Sequence, residues 1–156
     1  MFAPKAEAKG SKIIVKTDVL PEKVFGDERR FKQVLINLVK NSLKFVAHGG
    51  VVAIDAKYSV DEQMLIVSVT DTGVGISPED LPKLFTRFGK LHRSAEMNHD
   101  GIGLGLTIVK QIIESSGGEI SVHSDGLGHG CRFEFSFGVE DVTRTEFIGI
   151  VGEDQQ

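Results

Sequence analysis

The sequence Asp100-Gly-Ile-Gly-Leu-Gly-Leu-Thr-Ile-Val-Lys110 joins a glycine-rich loop to the start of a helix. Glycine occupies every second position from 101 to 105, and an apolar pattern of helical period follows it through residue 113. Glycines permit positive φ angles and a close approach of the backbone to a ligand, because they carry no Cβ. The first turn of a helix also presents free N–H groups and a positive dipole end, to which phosphate binds. The stretch predicts a phosphate-binding loop or, taken alone, a flexible hinge.

The composition limits the classes of protein that the chain can represent. Its 156 residues, 40% hydrophobic and 26% charged, are typical of one soluble globular domain. A net charge of −4 argues against nucleic acid as the main partner, because a basic face would be expected. No apolar run is long enough to cross a bilayer, and residues 1–9 lack the apolar core of a signal peptide, so we expect an intracellular fragment. The single cysteine, Cys131, excludes an internal disulfide, and the spacing of Cys and His does not predict a zinc site.

A long amphipathic helix is predicted from Asp27, a favourable N-cap, to about residue 47. At about 100° per residue, one broad face is apolar and predicted to lie in the core: Phe31, Val34, Leu35, Leu38, Val39, Phe45 and Val46. A separate narrow stripe is polar: Arg30, Gln33, Asn37, Asn41 and Lys44. Asparagine prefers caps to helix interiors, so two asparagines at i and i+4, followed by a lysine, indicate a site. The alternative is a solvated polar face, which is usually built from Glu, Lys and Arg.

Strands are predicted at residues 12–17, 51–58 and 64–70. The last of these runs directly into Asp71-Thr-Gly-Val-Gly-Ile76. An aspartate at a strand end, followed by spaced glycines, combines a fixed hydrogen-bond acceptor with a backbone that is open to a flat ligand. The alternative is a plain turn. Because residues 51–70 hold two consecutive strands, the chain is not a strictly alternating βαβ protein.

The region between the two glycine-rich stretches is predicted to begin with a short helix, with Ser77 as N-cap and Pro78 at its first position. Phe85 and Phe88 would anchor this segment, while Arg87 and Lys90 either reach an anion or are simply solvated. Residues 91–100 show no clear period and are interpreted as a mobile lid.

A second hairpin is predicted from residues 119–124 and 131–137, with one alternating face in the core: Cys131, Phe133, Phe135 and Phe137. Residues 138–156 are acidic and turn-rich apart from Phe147-Ile-Gly-Ile-Val151, which either packs on the domain or begins a linker. The predicted organisation is a disordered lead-in (1–11), one domain (12–138) and a C-terminal tail or linker (139–156).

Five motifs in fixed order resemble the catalytic ATP-binding domain of sensor histidine kinases, in the GHKL superfamily of gyrase-type topoisomerases, mismatch-repair ATPases and chaperones. Residues 27–45 resemble the N box, with the pattern Asp-x-x-Arg-Phe-x-Gln-Val-Leu-x-Asn-Leu-x-x-Asn-Ser-x-Lys-Phe. The others resemble the first glycine box (71–76), the F box (84–90), the second glycine box (101–106) and a closing Gly-x-Gly-x-x-Phe (128–133). The resemblance implies the Bergerat fold, an α/β two-layer sandwich in which a mixed, mostly antiparallel sheet carries helices on one face.

The resemblance also implies the cofactors, ATP and Mg²⁺, and a role for each site residue. Asn41 would hold the Mg²⁺ ion beside Asn37, Lys44 and Lys90 would contact phosphate, and Asp71 would accept a hydrogen bond from the adenine amine. The implied catalytic residues are Asn37, Asn41, Lys44 and Lys90. The implied nucleotide-binding residues are Asn41, Lys44, Asp71, Gly73, Gly75, Ile76, Phe88, Lys90, Gly101, Gly103, Leu104 and Gly105.

One position separates the branches of this superfamily. Its hydrolases carry a glutamate four residues before the Mg²⁺-binding asparagine, whereas this chain has Asn37 there. An amide cannot take a proton as a carboxylate does, so phosphoryl transfer to histidine is favoured over ATP hydrolysis. The alternatives are a small ATPase and an ATP-binding regulatory module without transfer.

No histidine of the chain stands in the His-Glu-hydrophobic-Arg-Thr-Pro context of a phosphoacceptor helix. The resemblance therefore implies that a separate dimerisation and phosphoacceptor domain of the parent kinase is the partner, with a response regulator receiving the phosphoryl group indirectly. We expect the fragment to be a monomer with little activity by itself, and to be cytoplasmic whether or not the parent is anchored in a membrane.

Overall fold

The described part of the chain, residues 10–47, 49–86 and 104–142 of a computed structural model, contains two helices and seven strands. The helices are α1 (Glu28–Phe45) and α2 (Leu104–Ser115). The strands are β1 (Lys12–Thr17), β2 (Val24–Phe25), β3 (Val51–Ser59), β4 (Met64–Asp71), β5 (Ile120–His123), β6 (Cys131–Gly138) and β7 (Glu140–Asp141). In this part of the chain, no helix combines the length and the apolarity needed to span a membrane.

Five strands form the main sheet in the order β1-β3-β4-β6-β5. β1 pairs with β3 in parallel, and the other neighbouring strands are antiparallel. The predicted mixed, mostly antiparallel sheet is therefore confirmed, as are both predicted hairpins. The sequence did not predict the second, two-stranded sheet, in which β2 pairs with β7.

Helix α1 begins and ends close to the predicted positions. The Asp27 carboxylate caps it by accepting a hydrogen bond from the Arg30 N–H at 3.1 Å. Val46 ends it in an extended conformation, although its N–H still donates to the Ser42 carbonyl oxygen at 3.0 Å. The chain thus leaves the helix directly towards β3.

Both helices pack on the same face of the main sheet, where the core lies. α1 contributes Val34, Leu38 and Val39, α2 contributes Val109, Ile112 and Ile113, and the sheet contributes alternate residues of its central strands, among them Val67, Val69 and Phe133. The Phe31 ring of α1 lies 5.5 Å from that of Phe137 and 6.0 Å from that of Phe135, measured between centroids. The predicted α/β two-layer architecture is confirmed, and the phenylalanines of β6 are core residues.

The helix predicted from Ser77 is wrong. Residues 77–80 form a turn, in which the Ser77 carbonyl oxygen accepts from both the Asp80 and the Leu81 N–H, and only Leu81–Lys83 forms a 3₁₀ turn. A proline has no N–H, so Pro82 cannot donate to the carbonyl of Pro78 as an α-helix would require. Pro78 is suited to the start of a helix, but Pro82, one turn later, prevents that helix from forming.

Candidate functional site

The polar stripe of α1 is exposed in its N-terminal part and half-buried in its C-terminal part. Arg30 and Gln33 are exposed, whereas Asn37, Asn41 and Lys44 are half-buried. The Lys44 ammonium lies 6.0 Å from the centroid of the Phe45 ring. Two half-buried amides on successive turns differ from the fully solvated face that was the alternative interpretation of this stripe.

Asp71 is the last residue of β4 and is buried, with 5% of the residue's surface exposed. One carboxylate oxygen, Oδ1, accepts a hydrogen bond from the Gly73 N–H at 2.9 Å. This bond fixes the carboxylate at the strand end and orients the loop that follows it. The predicted position of Asp71, at the end of a strand and before the glycines, is observed.

The loop of residues 72–76 lies against the C-terminal end of α1. The Val74 N–H donates to the Phe45 carbonyl oxygen at 3.2 Å. A Cβ atom added to Gly73 would lie 2.5 Å from the same oxygen, so glycine is needed for this close approach. The contact places the Asp71 loop beside the helical turn that carries Asn41 and Lys44.

The other side of this loop is held by the turn between β5 and β6. The Ser124 hydroxyl accepts from the Ile76 N–H at 3.0 Å and donates to the Gly130 carbonyl oxygen at 2.7 Å. Two backbone bonds add to this: Gly128 N–H to the Val74 oxygen at 2.8 Å, and Gly130 N–H to the Gly73 oxygen at 3.1 Å. The sequence did not predict the supporting role of Ser124, because no local pattern marks it. The spaced glycines of the β5–β6 turn were the only available sign that this turn packs closely on another segment.

Gly75 has a packing role that the sequence did not predict. Its φ is 72°, and an added Cβ would lie 2.1 Å from the Gly126 carbonyl oxygen. The structure shows that this glycine lets the loop touch the β5–β6 turn. Its predicted role of opening the backbone to a ligand stays a prediction.

The first turns of α2 lie beside the segment that follows the 3₁₀ turn. The Thr107 hydroxyl donates to the Phe85 carbonyl oxygen at 3.4 Å, and the Lys110 ammonium lies 5.7 Å from the centroid of the Phe85 ring. Phe85 in turn packs edge-to-face on Phe133, at 6.4 Å between ring centroids. Among the described residues outside its own stretch of helix, no atom lies within 4 Å of a Cβ added to Gly105.

The remaining predicted site residues divide into two groups. Ile76 is fully buried in the hydrophobic core. The other group lies outside the described residues, together with the predicted lid at 91–100: Phe88, Lys90, Gly101, Gly103 and the side chain of Leu104. Their roles stay predictions.

Residues 26–141 match the family model of histidine kinase-, DNA gyrase B- and HSP90-like ATPases. The chain belongs to this family. The matched range contains the Asn41–Asp71 region together with all of the loops that position it.

Among solved structures, this family member is similar to the catalytic domain of the histidine kinase ThkA, with 30% identity and a TM-score of 0.73. The similarity covers 87% of this chain and 85% of that one. Full-length ShkA in complex with AMPPNP gives a TM-score of 0.75 at 32% identity, covering 90% of this chain and 28% of ShkA. The chain is thus a catalytic domain of the histidine kinase branch.

The sensor histidine kinase GacS of Pseudomonas protegens is 39% identical over 141 residues, which are 87% of this chain and 15% of GacS. The chain spans between 15% and 23% of the length of the first curated relatives that it matches.

Proposed function

We propose that this histidine kinase domain binds ATP with Mg²⁺ and transfers the γ-phosphoryl group to a histidine on a separate dimerisation and phosphoacceptor domain. The observation that carries the proposal is the junction between α1 and the Asp71 loop, made by the 3.2 Å bond from Val74 N–H to the Phe45 oxygen. At this junction the buried carboxylate of Asp71, an acceptor for a nucleotide base, lies next to the amides and the ammonium of α1, which suit a metal ion and phosphate.

Asp71 recognises the adenine end of the nucleotide. Its carboxylate is buried and held by the Gly73 N–H, so it is a preoriented acceptor in a site of low dielectric constant. The exocyclic amine of adenine can donate to it, whereas the O6 atom of guanine would face it as a second acceptor. A buried polar group left without its partner is costly, which favours ATP over GTP.

The C-terminal half of α1 serves the phosphates. Asn41 supplies an amide oxygen, a hard ligand of the kind that Mg²⁺ accepts, and its half-buried position suits a ligand held between helix and nucleotide. Bound Mg²⁺ supplies positive charge at the phosphate oxygens during transfer. Lys44 contacts phosphate one turn further on, and Lys90, Gly101 and Gly103 complete the phosphate contacts.

Asn37 directs the chemistry towards transfer. Its amide cannot accept a proton from an attacking water, so the site lacks a general base at this position. An imidazole nucleophile needs no such base, and positioning with charge neutralisation is sufficient. The acceptor histidine lies on another domain, and the much greater length of the relatives supports this. ATP is available in the cytoplasm, where we place this domain.

Calorimetric titration with ATP in the presence and absence of Mg²⁺ tests the binding site. We expect Mg²⁺-dependent binding that is weakened at least about tenfold in Asn41→Ala and in Asp71→Asn, the loss that one strong polar contact supplies. The matched control is Gln33→Ala, which removes an exposed amide from the same stripe of α1 and should leave the affinity unchanged. Equal affinity in all four proteins would refute the assignment of the site.

Phosphotransfer is tested separately by adding the phosphoacceptor domain of the parent kinase and γ-labelled ATP. We expect an acid-labile, base-stable phosphohistidine on that domain and little ATP turnover without it. If ATP binds normally but no phosphohistidine forms, the domain is an ATP-binding regulatory module.

A further inference from the structure

A groove runs along β4 on the face of the main sheet that lies opposite the two helices. Val67 and Val69 are buried in the core beneath the helices, so the alternate residues of β4, Ile66 and Ser68, point to the other face. A cavity of about 370 Å³ lies there, lined by Ile66 and Ser68 from the central strand. Charged side chains of the neighbouring strands β3 and β6 form its two walls: Asp55, Lys57, Arg132 and Glu134.

Ser68 is nearly buried in this groove, with 5% of its surface exposed. Its hydroxyl nevertheless makes no hydrogen bond within the described part of the chain. A hydroxyl that is almost removed from water and has no partner costs free energy, and such groups are rare in folded proteins. A polar group that enters the groove supplies the hydrogen bond that this hydroxyl lacks.

The strand register arranges the charges of the walls in rows across the groove. Asp55 of β3 and Glu134 of β6 lie directly opposite Ser68, one on each side of it. Lys57 lies one row away towards the start of β4, and Arg132 lies one row away in the other direction. Because two residues of a strand span roughly 7 Å, the sequence of charges along the groove is positive, negative and positive at that spacing.

These charges are available to a partner. Asp55 and Lys57 form no ion pair within the described residues, and neither does Lys16 of β1, which lies opposite Asp55 in the register. Arg132 and Glu134 are joined at 2.8 Å between Nη2 and Oε2, but both side chains are about half exposed, at 53% and 45%. An exposed pair of this kind contributes little stability, so an incoming charge can share it at small cost.

The middle row has the chemistry to bind an ammonium group. An ammonium has three N–H donors, and this row offers three acceptors on adjacent strands: the carboxylates of Asp55 and Glu134 and the hydroxyl of Ser68. The rows on either side, with Lys57 and Arg132, suit carboxylates instead. A ligand that matches all three rows is therefore acidic at both ends and basic in the middle.

The spacing of the rows is that of an extended polypeptide. Side chains on one face of an extended chain also repeat every two residues, at roughly 7 Å. The walls belong to β3 and β6, the strands on either side of β4, and two strand spacings separate them by roughly 10 Å. This width admits a single extended chain between the walls.

We propose that the groove along β4 binds an extended segment of a partner protein that carries acidic, basic and acidic residues at alternate positions. The basic side chain enters the row of Asp55, Ser68 and Glu134, and the two carboxylates meet Lys57 and Arg132. The charge pattern is the same in both chain directions, so it selects the segment without fixing its direction. This inference does not depend on nucleotide binding.

Titration of the 156-residue chain with two synthetic peptides, followed by amide chemical shifts in NMR, tests the proposal. The probe is Thr-Glu-Thr-Lys-Thr-Glu-Thr with blocked ends. The control peptide, Glu-Thr-Thr-Lys-Thr-Thr-Glu, has the same composition, but in an extended chain its glutamates lie on the face opposite its lysine. We expect the probe to bind about fivefold more tightly, because two further ion pairs form. The amides that shift should lie around Ser68 in β3, β4 and β6.

Charge reversal in the protein gives the sharper test. Lys57→Glu should weaken binding of the probe at least about fivefold, since an ion pair becomes a repulsion. The peptide Thr-Lys-Thr-Lys-Thr-Glu-Thr should then bind this variant better than it binds the parent, which a merely structural effect of the substitution would not produce. The matched control is Lys40→Glu, which makes the same charge change on the exposed surface of α1 and should leave the probe affinity unchanged.

The affinity of Lys57→Glu for ATP with Mg²⁺, measured by calorimetry, should equal that of the parent, so this proposal and the nucleotide site fail or succeed separately. Equal binding of the two peptides of the same composition would overturn the proposal, as would shifts on another surface or no binding at millimolar peptide. Free lysine that shifts the same amides at the same concentration would also overturn it, because the occupant would then be a small amine.

Discussion

Individual residues in and near the Asp71 loop are under different structural constraints. Gly75 needs both a positive φ and the absence of a Cβ, while Gly128 has a positive φ and no atom of the described residues within 4 Å of a Cβ placed on it. Ser42 lies one residue from the proposed Mg²⁺ ligand, yet its side chain points into the core. These differences permit substitutions that separate backbone strain, steric overlap and burial of a polar group.

Gly75→Ala should be strongly destabilising and Gly128→Ala only mildly so. Both place alanine at a positive φ, which costs roughly 1–2 kcal/mol. At Gly75 the new Cβ also meets the Gly126 oxygen at 2.1 Å, and such overpacking adds about 1–3 kcal/mol. Urea unfolding of both variants measures the difference. Equal losses of stability would contradict the steric explanation.

Ser42→Ala should raise the free energy of unfolding by about 1 kcal/mol. The Ser42 hydroxyl is completely buried and has no hydrogen-bond partner among the described residues, and alanine is also the better helix former. The matched control is Ser115→Ala in α2, where the exposed hydroxyl donates to the Gln111 oxygen at 2.8 Å. A loss of stability in Ser42→Ala, measured by thermal or urea unfolding, would reveal a partner for this hydroxyl in solution.

At the scale of elements, helix α1 connects the core with the candidate site because it carries an apolar face and a separate polar stripe. Its apolar face packs on β6 and its polar stripe is half-buried only in the C-terminal half. The polar side of the N-terminal turns is exposed and carries charge pairs. Glu28 and Lys32 are joined by a 2.8 Å contact between Oε1 and Nζ, which lies on the surface.

Lys32→Met should raise the pKa of Glu28 towards its ordinary value. The hydrogen bond and the positive charge of Lys32 hold the pKa of this carboxyl below that value in the folded protein. A lowered folded pKa stabilises the protein above the unfolded pKa, and this contribution disappears as the pH falls through the folded pKa. Carboxyl NMR titration measures the shift. Lys40→Met, which removes another exposed lysine of α1, should leave the pKa of Glu28 unchanged.

At the scale of the whole molecule, one core joins all of the elements that carry the candidate site. Both helices and the central strands contribute to it, and the small β2–β7 sheet is attached through Val139, which is itself buried. The Tyr58 hydroxyl donates to the Val139 carbonyl oxygen at 3.3 Å, linking the end of β3 to the chain before β7. A domain of this size with a single core is expected to unfold cooperatively.

Tyrosine fluorescence and far-UV circular dichroism should therefore report the same unfolding transition. Tyr58 is the only tyrosine and the chain has no tryptophan, so its fluorescence reports on the junction of β3 with Val139. Within the described residues, circular dichroism reports mainly on α1 and α2. Separate midpoints in urea would show that the β2–β7 end unfolds independently of the core.

Local patterns in the sequence determined the helix α1 with its two faces, both hairpins, the buried phenylalanines of β6 and the position of Asp71 at a strand end. Each of these depends on residues close together in the chain, where periodicity and capping are strong signals. The resemblance to a family, rather than periodicity, linked Asn41 to Asp71 as one site.

Only the tertiary structure decided the parallel pairing of β1 with β3, the β2–β7 sheet, and the contacts of Ser124 and Phe45 with the Asp71 loop. These contacts join residues that are far apart in the chain, and a serine or a carbonyl group carries no local mark of a distant partner. The packing roles of Gly73 and Gly75 became visible for the same reason, because the atoms that they approach belong to α1 and to the β5–β6 turn.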